Sequence, residues 1–101
     1  MSPYQLTQRA HCDLEEIDDY LARRSAKSAR EFLIRAVEIF EMLATHPEAG
    51  RRRLELKVAV RSFPLGQYVI YYRVAESRVQ ILRVAHGARD AAALLAFIEE
   101  T

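Results

Sequence analysis

A single cysteine, Cys12, stands among 101 residues, so no intrachain disulfide can form and no cysteine-based zinc site can be built. Such cysteine usage fits a reducing compartment. An excess of one charge sign is also missing, with Lys plus Arg at 15 against Asp plus Glu at 14. Overall charge therefore calls for no nucleic-acid or membrane partner, and any such partner would need a local patch. Long apolar runs are absent. The longest stretch without a charge, Ser62 to Tyr72, contains Pro64 and Gly66, whereas a membrane-spanning helix needs about 20 apolar residues. The opening nine residues, Met1 to Arg9, show no apolar stretch before the first charge, unlike a secretory signal. A cytoplasmic protein is expected.

What is present describes one globular domain over residues 1–101. Half the residues are hydrophobic and 29% are charged, which sets the chain apart from disordered sequences. A chain this size buries roughly two-thirds of its unfolded surface, enough for one modest core. Glycine and proline, three of each, cluster at two breaks: His46-Pro47-Glu48-Ala49-Gly50 and Phe63-Pro64-Leu65-Gly66. The segment before the first break reads as helical and the segment after it as strands.

Tyr4 to Leu6 is short and β-compatible, and Thr7 is a helix cap. Ala10, Leu14, Ile17 and Leu21 then recur at helical spacing with Tyr20 beside them, while Asp13, Glu15, Glu16, Asp18 and Asp19 form a solvated acidic side. Arg23 and Arg24 close the helix in the sense its dipole favours. A second helix starts near Ser25 or Ser28. Ala29, Phe32, Leu33, Ala36, Val37, Phe40, Leu43 and Ala44 form its apolar stripe until Pro47 stops it, about 28 Å later. Two amphipathic helices this close in sequence must fold back as a hairpin.

Beyond Gly50 the period becomes two. Val58 and Val60 alternate with Lys57, Ala59 and Arg61, and Tyr68–Val74 and Val79–Val84 are rich in β-branched and aromatic residues. Hairpin-length connections at Pro64–Gly66 and Ala75–Arg78 predict a three-stranded antiparallel meander. Arg89 to Phe97 has the pattern of a short helix with Leu94, Leu95 and Ile98 inward. A three-residue first turn would set Arg61 opposite Val69 and Ala59 opposite Tyr71. A symmetric second hairpin sets Arg73 opposite Gln80 and Tyr71 opposite Leu82. One face then holds Val58, Val60, Tyr68, Ile70, Tyr72, Val74, Val79 and Ile81, the seat for the helices. The other holds Lys57, Ala59, Arg61, Val69, Tyr71, Arg73, Gln80, Leu82, Val84 and His86. Both faces are largely apolar, and the helices suffice for one. The second face is thus expected to stay open, and an exposed apolar patch rimmed by charge has a partner as a rule.

Several stretches together resemble the RelE/ParE superfamily of small toxins from bacterial type II toxin–antitoxin systems. They are Tyr4-x-Leu6-Thr7-x-x-Ala10-x-x-Asp13-Leu14-x-x-Ile17-x-x-Tyr20, Leu43-x-x-x-Pro47-x-x-Gly50-x-x-Arg53, Arg61-Ser-Phe63, Tyr68-x-Ile70-x-Tyr72-Arg73-Val74 and Ile81-x-Arg83-Val84-x-His86. The resemblance covers nearly the whole chain in order. It implies an α+β fold, β-α-α-β-β-β, with a helical hairpin on one face of a mainly antiparallel sheet. The superfamily divides into RelE-like members, which cleave messenger RNA in the ribosome, and ParE-like members, which block DNA gyrase without a known hydrolytic site. A cognate antitoxin, often with a ribbon-helix-helix DNA-binding domain, neutralises both. The ending His86-Gly-Ala-Arg89-Asp90-x-x-x-Leu94-Leu95 resembles ParE-like tails. No tyrosine follows Tyr72, whereas RelE-like ribonucleases place one near the carboxyl end, about where Leu95 falls.

The implied function is gyrase inhibition by protein–protein contact, with ribosome-dependent RNA cleavage as the alternative and a binding partner stripped of toxicity as a third reading. Cleavage through a 2′-hydroxyl needs a proton acceptor, a proton donor and cations for the phosphorane; Arg61, His86 and Arg89 are the residues for it, with Tyr71 as a second proton source and Arg73 as a further cation. For antitoxin contact the open face offers Arg61, Tyr71, Arg73, Leu82 and Val84; for target contact the tail offers Arg89, Leu94 and Leu95. Arg51-Arg52-Arg53 reads as a solvated loop, or as an extension of the cationic rim towards Lys57 and Arg61. Ile34 and Met42 are single exposed hydrophobes or contacts for an antitoxin helix. His11 and His46 lack metal-ligand spacing, Cys12 reads as a small neighbour of the core, and no cofactor is expected.

Overall fold

The structure, a computed structural model, describes residues 3–56 and 59–96. Strand β1 (Tyr4–Leu6) leads into helix α1 (Gln8–Ala22), and α2 (Ala26–Thr45) follows after three residues. Thr7 caps α1 as its sequence predicts, its Oγ1 accepting from the Ala10 N–H at 3.0 Å, and Ser25 caps α2 by accepting from the Ser28 N–H. A 3₁₀ turn at Pro47–Ala49 ends the helical half. Then come β2 (Arg51–Arg52), β3 (Arg61–Leu65), β4 (Tyr68–Ala75), β5 (Arg78–His86) and a four-residue helix, α3 (Ala91–Leu94). The expected α+β fold is present.

The sheet has the order β1-β5-β4-β3-β2, with β1 parallel to β5 and the other pairs antiparallel. The meander of β3, β4 and β5 matches the sequence reading. Its registers do not all match. Gly66 and Gln67 alone make the first turn, Leu65 lying opposite Tyr68, so Arg61 faces Tyr72 and Ser62 faces Tyr71. Pro64 is a strand residue on the less-paired edge, where a missing N–H costs little. Arg73 does face Gln80. Past that point β5 carries an extra residue: Tyr72 faces Ile81 but Tyr71 faces Arg83, leaving Leu82 in a bulge. An extra residue inverts the alternation of everything after it. Val84 consequently joins the helix-side core, and His86 stacks edge-on against Tyr68 at 5.8 Å.

The helix-side core gathers Ala10, Ile17, Ala36, Ile39, Phe40 and Leu43 from the hairpin against Leu65, Ile70, Tyr72, Val79, Ile81 and Val84 from the sheet. Two stripe assignments change: Ile39 is buried while Val37 is 43% exposed. On the sheet, Val74 is exposed and Val60 belongs to the opposite side. Lys57, Val58, Phe97 and Ile98 lie outside the described residues.

The second face is not open. Val60, Tyr71, Leu82, Ala85, Leu94 and Leu95 form their own buried cluster, with Leu56, Val69 and Ala91 packed against it. Tyr71 is 2% exposed and Leu82 fully buried. The chain's own tail covers this side, so the premise that Tyr71, Leu82 and Val84 form an exposed docking face is corrected. Tyr71 and Leu82 lie under α3 and its flank, and the bulge sends Val84 beneath the helices.

One buried ion pair fastens that tail. Asp13, assigned by sequence to the solvated acidic side, is 9% exposed. Arg83 Nε and Nη2 donate to its two carboxylate oxygens at 2.8 and 2.9 Å, and the Val84 N–H donates to Oδ2 at 2.9 Å. Arg83 Nη1 donates to the Leu94 carbonyl at 3.1 Å. Asp13 holds the guanidinium pKa above its ordinary value, against the opposing pull of burial. Helix α1, strand β5 and helix α3 thus meet in one network.

Candidate functional site

Two regions contain the residues singled out by sequence. The first is a cleft of about 520 Å³ where β2, β3 and β4 meet, lined by Arg52, Arg53, Arg61 and Arg73 with Leu54, Leu56, Ala59, Val60 and Val74. A knot at the end of α2 builds it. The Tyr72 hydroxyl donates to the Pro47 carbonyl at 2.7 Å and accepts from the Gly50 N–H at 2.8 Å. A Cβ on Gly50 would lie 2.6 Å from the Tyr72 ring and 2.9 Å from the Ser62 carbonyl oxygen, so this close approach requires glycine. Burial raises the Tyr72 pKa above 10.0.

With Gly50 pinned, Arg51 and Arg52 run as a short edge strand against Ser62 and Arg61. The arginine triplet is therefore part of the sheet for two of its three residues, where sequence reading had a loop or a loose rim. Arg61 Nη1 donates to the Gly50 carbonyl at 2.9 Å. Arg53 lies over the Tyr71 ring, 5.6 Å from its centroid, and donates to Glu55 at 2.6 Å and to Ser62 at 3.3 Å. The Glu55 carboxyl is held below the usual range by its own backbone N–H and then by Arg53, with Arg51 adding a smaller pull. Arg73 Nε donates to Gln80 at 2.9 Å. Cationic side chains on apolar walls suit an anionic partner.

The second region lies at the far end of β5. His86 and Arg89 share a small pocket of about 140 Å³ with Asp13 and Glu16. His86 Nδ1 accepts from the Ala88 N–H at 3.2 Å, ordering the turn into the tail. Beside this pocket a wider groove of about 780 Å³ separates Tyr20, Arg24 and Phe32 of the hairpin from the Leu65–Tyr68 turn.

The structure brings Arg61 and Arg73 together but keeps Arg61 away from His86 and Arg89. Arg61 faces Tyr72 and His86 faces Tyr68, positions four residues apart on β4, roughly 13 Å along the strand. Leu94 and Leu95 are seated on the sheet, while Arg89 is exposed on the turn before them. Ile34 is exposed, Met42 is half-buried against the helix-side core, and Cys12 is exposed, not a core neighbour. Among the described residues no three His, Cys, Asp or Glu side chains gather as a metal site, and no helix is long and apolar enough to cross a membrane. Sequence reasoning missed the pairing of Arg83 with Asp13. Asp13 falls three residues after Ala10 and four before Ile17, a core spacing that its charge disguised.

A family model described as the ParE toxin of the type II toxin–antitoxin system, parDE, matches residues 4–91. The chain belongs to the ParE toxin family. It is 35% identical to Toxin ParE1 of Caulobacter vibrioides over 94% of this chain and 99% of that one. Toxin RelE2 of the same organism is 36% identical over 82% of this chain and 92% of its own length. Among solved structures, the chromosomal ParDE toxin–antitoxin system from P. aeruginosa superposes with a TM-score of 0.68 at 27% identity, covering 82% of this chain and 92% of the other. The ParE-family chain is thus a toxin of the type II class, and its helical hairpin on a meander sheet is the arrangement of that neighbour.

Proposed function

We propose that this ParE-family toxin inhibits DNA gyrase by protein–protein contact in the cytoplasm and is neutralised by a cognate antitoxin encoded beside it, carrying a ribbon-helix-helix DNA-binding domain. The observation that carries the non-hydrolytic reading is the separation of Arg61 from His86 and Arg89 across the sheet. General acid–base chemistry on one phosphate needs its groups within hydrogen-bond reach of the same atoms. The antitoxin reading draws on the description of the P. aeruginosa relative as a ParDE system.

Target contact falls to Arg89, exposed on the turn, with Leu94 and Leu95 holding that turn against the sheet. Antitoxin contact falls to Arg61 and Arg73, with Tyr71 and Leu82 as buried support on the same side of the sheet, while Val84, on the helix side, has no part in it. Purified toxin added to gyrase should block supercoiling of a relaxed plasmid, and Arg89→Ala should lose the effect while melting as the parent does. Unchanged topology at stoichiometric excess, together with ribosome-dependent message cuts that vanish in Arg61→Ala, would replace gyrase inhibition with RNA cleavage.

A further inference from the structure

The connection between the two long helices concentrates a charge that the chain as a whole does not show. Arg23, Arg24, Lys27 and Arg30 stand close together with no acid among the residues between them, although the chain has 15 cations to 14 anions. The remainder is therefore acidic, and positive potential gathers at the tip of the hairpin. All four residues are exposed. Arg23 and Arg30 make no side-chain hydrogen bond or ion pair among the described residues. Arg24 gives one donor to the Tyr20 hydroxyl at 3.0 Å and keeps the rest of its fork for other acceptors. Lys27 stands 4.0 Å from Glu31, both largely exposed, a spacing that holds neither side chain fast. The cleft arginines differ: Arg53, Arg61 and Arg73 each donate to a group of the chain itself.

The residues between the cations decide the kind of partner. They are Ser25, Ala26, Ser28 and Ala29, with no large apolar side chain among them. A protein–protein interface has an apolar core, and the tip supplies none. Tyr20 beside it carries Arg24 across its ring, 5.6 Å from the centroid, and so offers no open platform for single-stranded bases. A sugar–phosphate backbone asks only for cations and small polar side chains that let it approach. Position favours duplex DNA. Arg24 lines the groove that His86 also lines, and His86 shares its pocket with Arg89. The tip and the turn assigned to gyrase thus flank one groove and its adjoining pocket, and the substrate of gyrase is duplex DNA. We propose that Arg23, Arg24, Lys27 and Arg30 form a site for the phosphate backbone of duplex DNA. The choice of DNA among polyanions rests on the gyrase reading; the cationic footprint does not.

The test is fluorescence anisotropy of the full-length toxin with a fluorescein-labelled DNA duplex at rising sodium chloride. Four phosphate contacts give a log–log salt slope of about −3.6, an affinity loss of about 100-fold between roughly 50 and 200 mM. Lys27→Gln/Arg30→Gln should bring the slope to about −1.8. The fourfold variant Arg23→Gln/Arg24→Gln/Lys27→Gln/Arg30→Gln should lose the slope altogether while its circular dichroism matches the parent. Arg9→Gln/Arg51→Gln removes two exposed charges elsewhere and should leave the slope in place. The proposal is overturned by an unchanged slope in the fourfold variant or by an equal loss in Arg9→Gln/Arg51→Gln. It is also overturned if the parent does not bind at about 100 µM and low salt, the weak end of non-specific affinity. An RNA duplex of the same length that binds more tightly overturns it in favour of RNA. Poly-glutamate that displaces the DNA at equal charge overturns it in favour of an acidic protein. The gyrase reading fails separately: supercoiling unaffected by excess toxin, with the salt slope intact, removes gyrase and keeps the DNA site. Inhibited supercoiling by a toxin with no DNA affinity does the reverse.

Discussion

The two sides of the sheet are covered by unlike means. One lies under a 15-residue and a 20-residue helix that pack on each other as well as on the strands. The other lies under a four-residue helix and its flanking segments, seated mainly by Leu94 and Leu95. A helix of four residues has no stability of its own in water, so the second cover depends on what it touches. It touches an apolar sheet face and, through the Leu94 carbonyl, Arg83. Helices that bury a full stripe hold themselves in place, whereas a short cover must be tied down. Local opening is accordingly expected on the tail side first.

The largest test of this contrast is Asp13→Ala, which leaves Arg83 buried without its carboxylate and frees the Val84 N–H. A loss of about 3–5 kcal/mol is expected in urea denaturation, since removing one partner of a buried pair strands the other charge. A loss near that of a surface pair, below about 1 kcal/mol, would mean that the network fastens nothing. Next comes Leu95→Ala, expected to cost about 2 kcal/mol, the low end for a buried leucine because a short cover can settle into the gap. Its hydrogen exchange should rise from Ala91 to Leu95 while the α2 amides stay protected. Simultaneous loss of protection in both would show a single cooperative unit and erase the distinction between the two covers.

Tyr72→Phe probes the helix side through the knot at Gly50 and should cost about 1–2 kcal/mol, leaving one buried N–H and one carbonyl without their partner. It also carries a pH signature. Burial raises the folded pKa of Tyr72 above the ordinary 10.0, so the neutral form is favoured by folding. Its contribution is complete below about pH 10 and is lost as pH rises through the folded value. Alkaline unfolding should be shallower in Tyr72→Phe than in the parent, with Tyr4, raised chiefly by burial, supplying the remainder. The smallest effect is Ser77→Gly. Glu76 and Ser77 have φ of 54° and 65° in the β4–β5 turn, a geometry that favours glycine, and a gain of about 1 kcal/mol is expected. Because that hairpin carries both covers, both exchange probes should gain equally.

Much of this was legible in the residues. Thr7 and Ser25 mark two helix starts, and the hairpin follows from apolar spacing that few other arrangements satisfy. The meander follows from β-branched and aromatic runs separated by short turns. The bulge at Leu82 was not legible, because one added strand residue leaves no mark in composition while inverting Val84 and His86. Strand β2 was hidden for a similar reason: two arginines carry no alternation, and their pairing depends on Gly50 fitting beneath Tyr72. Leu94 and Leu95 read as inward-facing, yet the surface they meet was assigned to a partner, since nothing in a sequence says how far a tail reaches round a sheet edge. At the cleft, Arg61 and Arg73 were legible as neighbours on a cationic rim. Leu54 was not, because a lone leucine in a loop gives no periodicity to read.

The Asp13–Arg83 pair also sets a schedule for synthesis. The two residues are 70 positions apart, and translation adds roughly 5–20 residues per second. For several seconds, then, a nascent chain holds the first helix with its carboxylate unanswered. Only after β5 emerges can that charge be neutralised and the hairpin settle in its final seat. A toxin fastened this way cannot lock its first helix until a strand made 70 residues later has emerged.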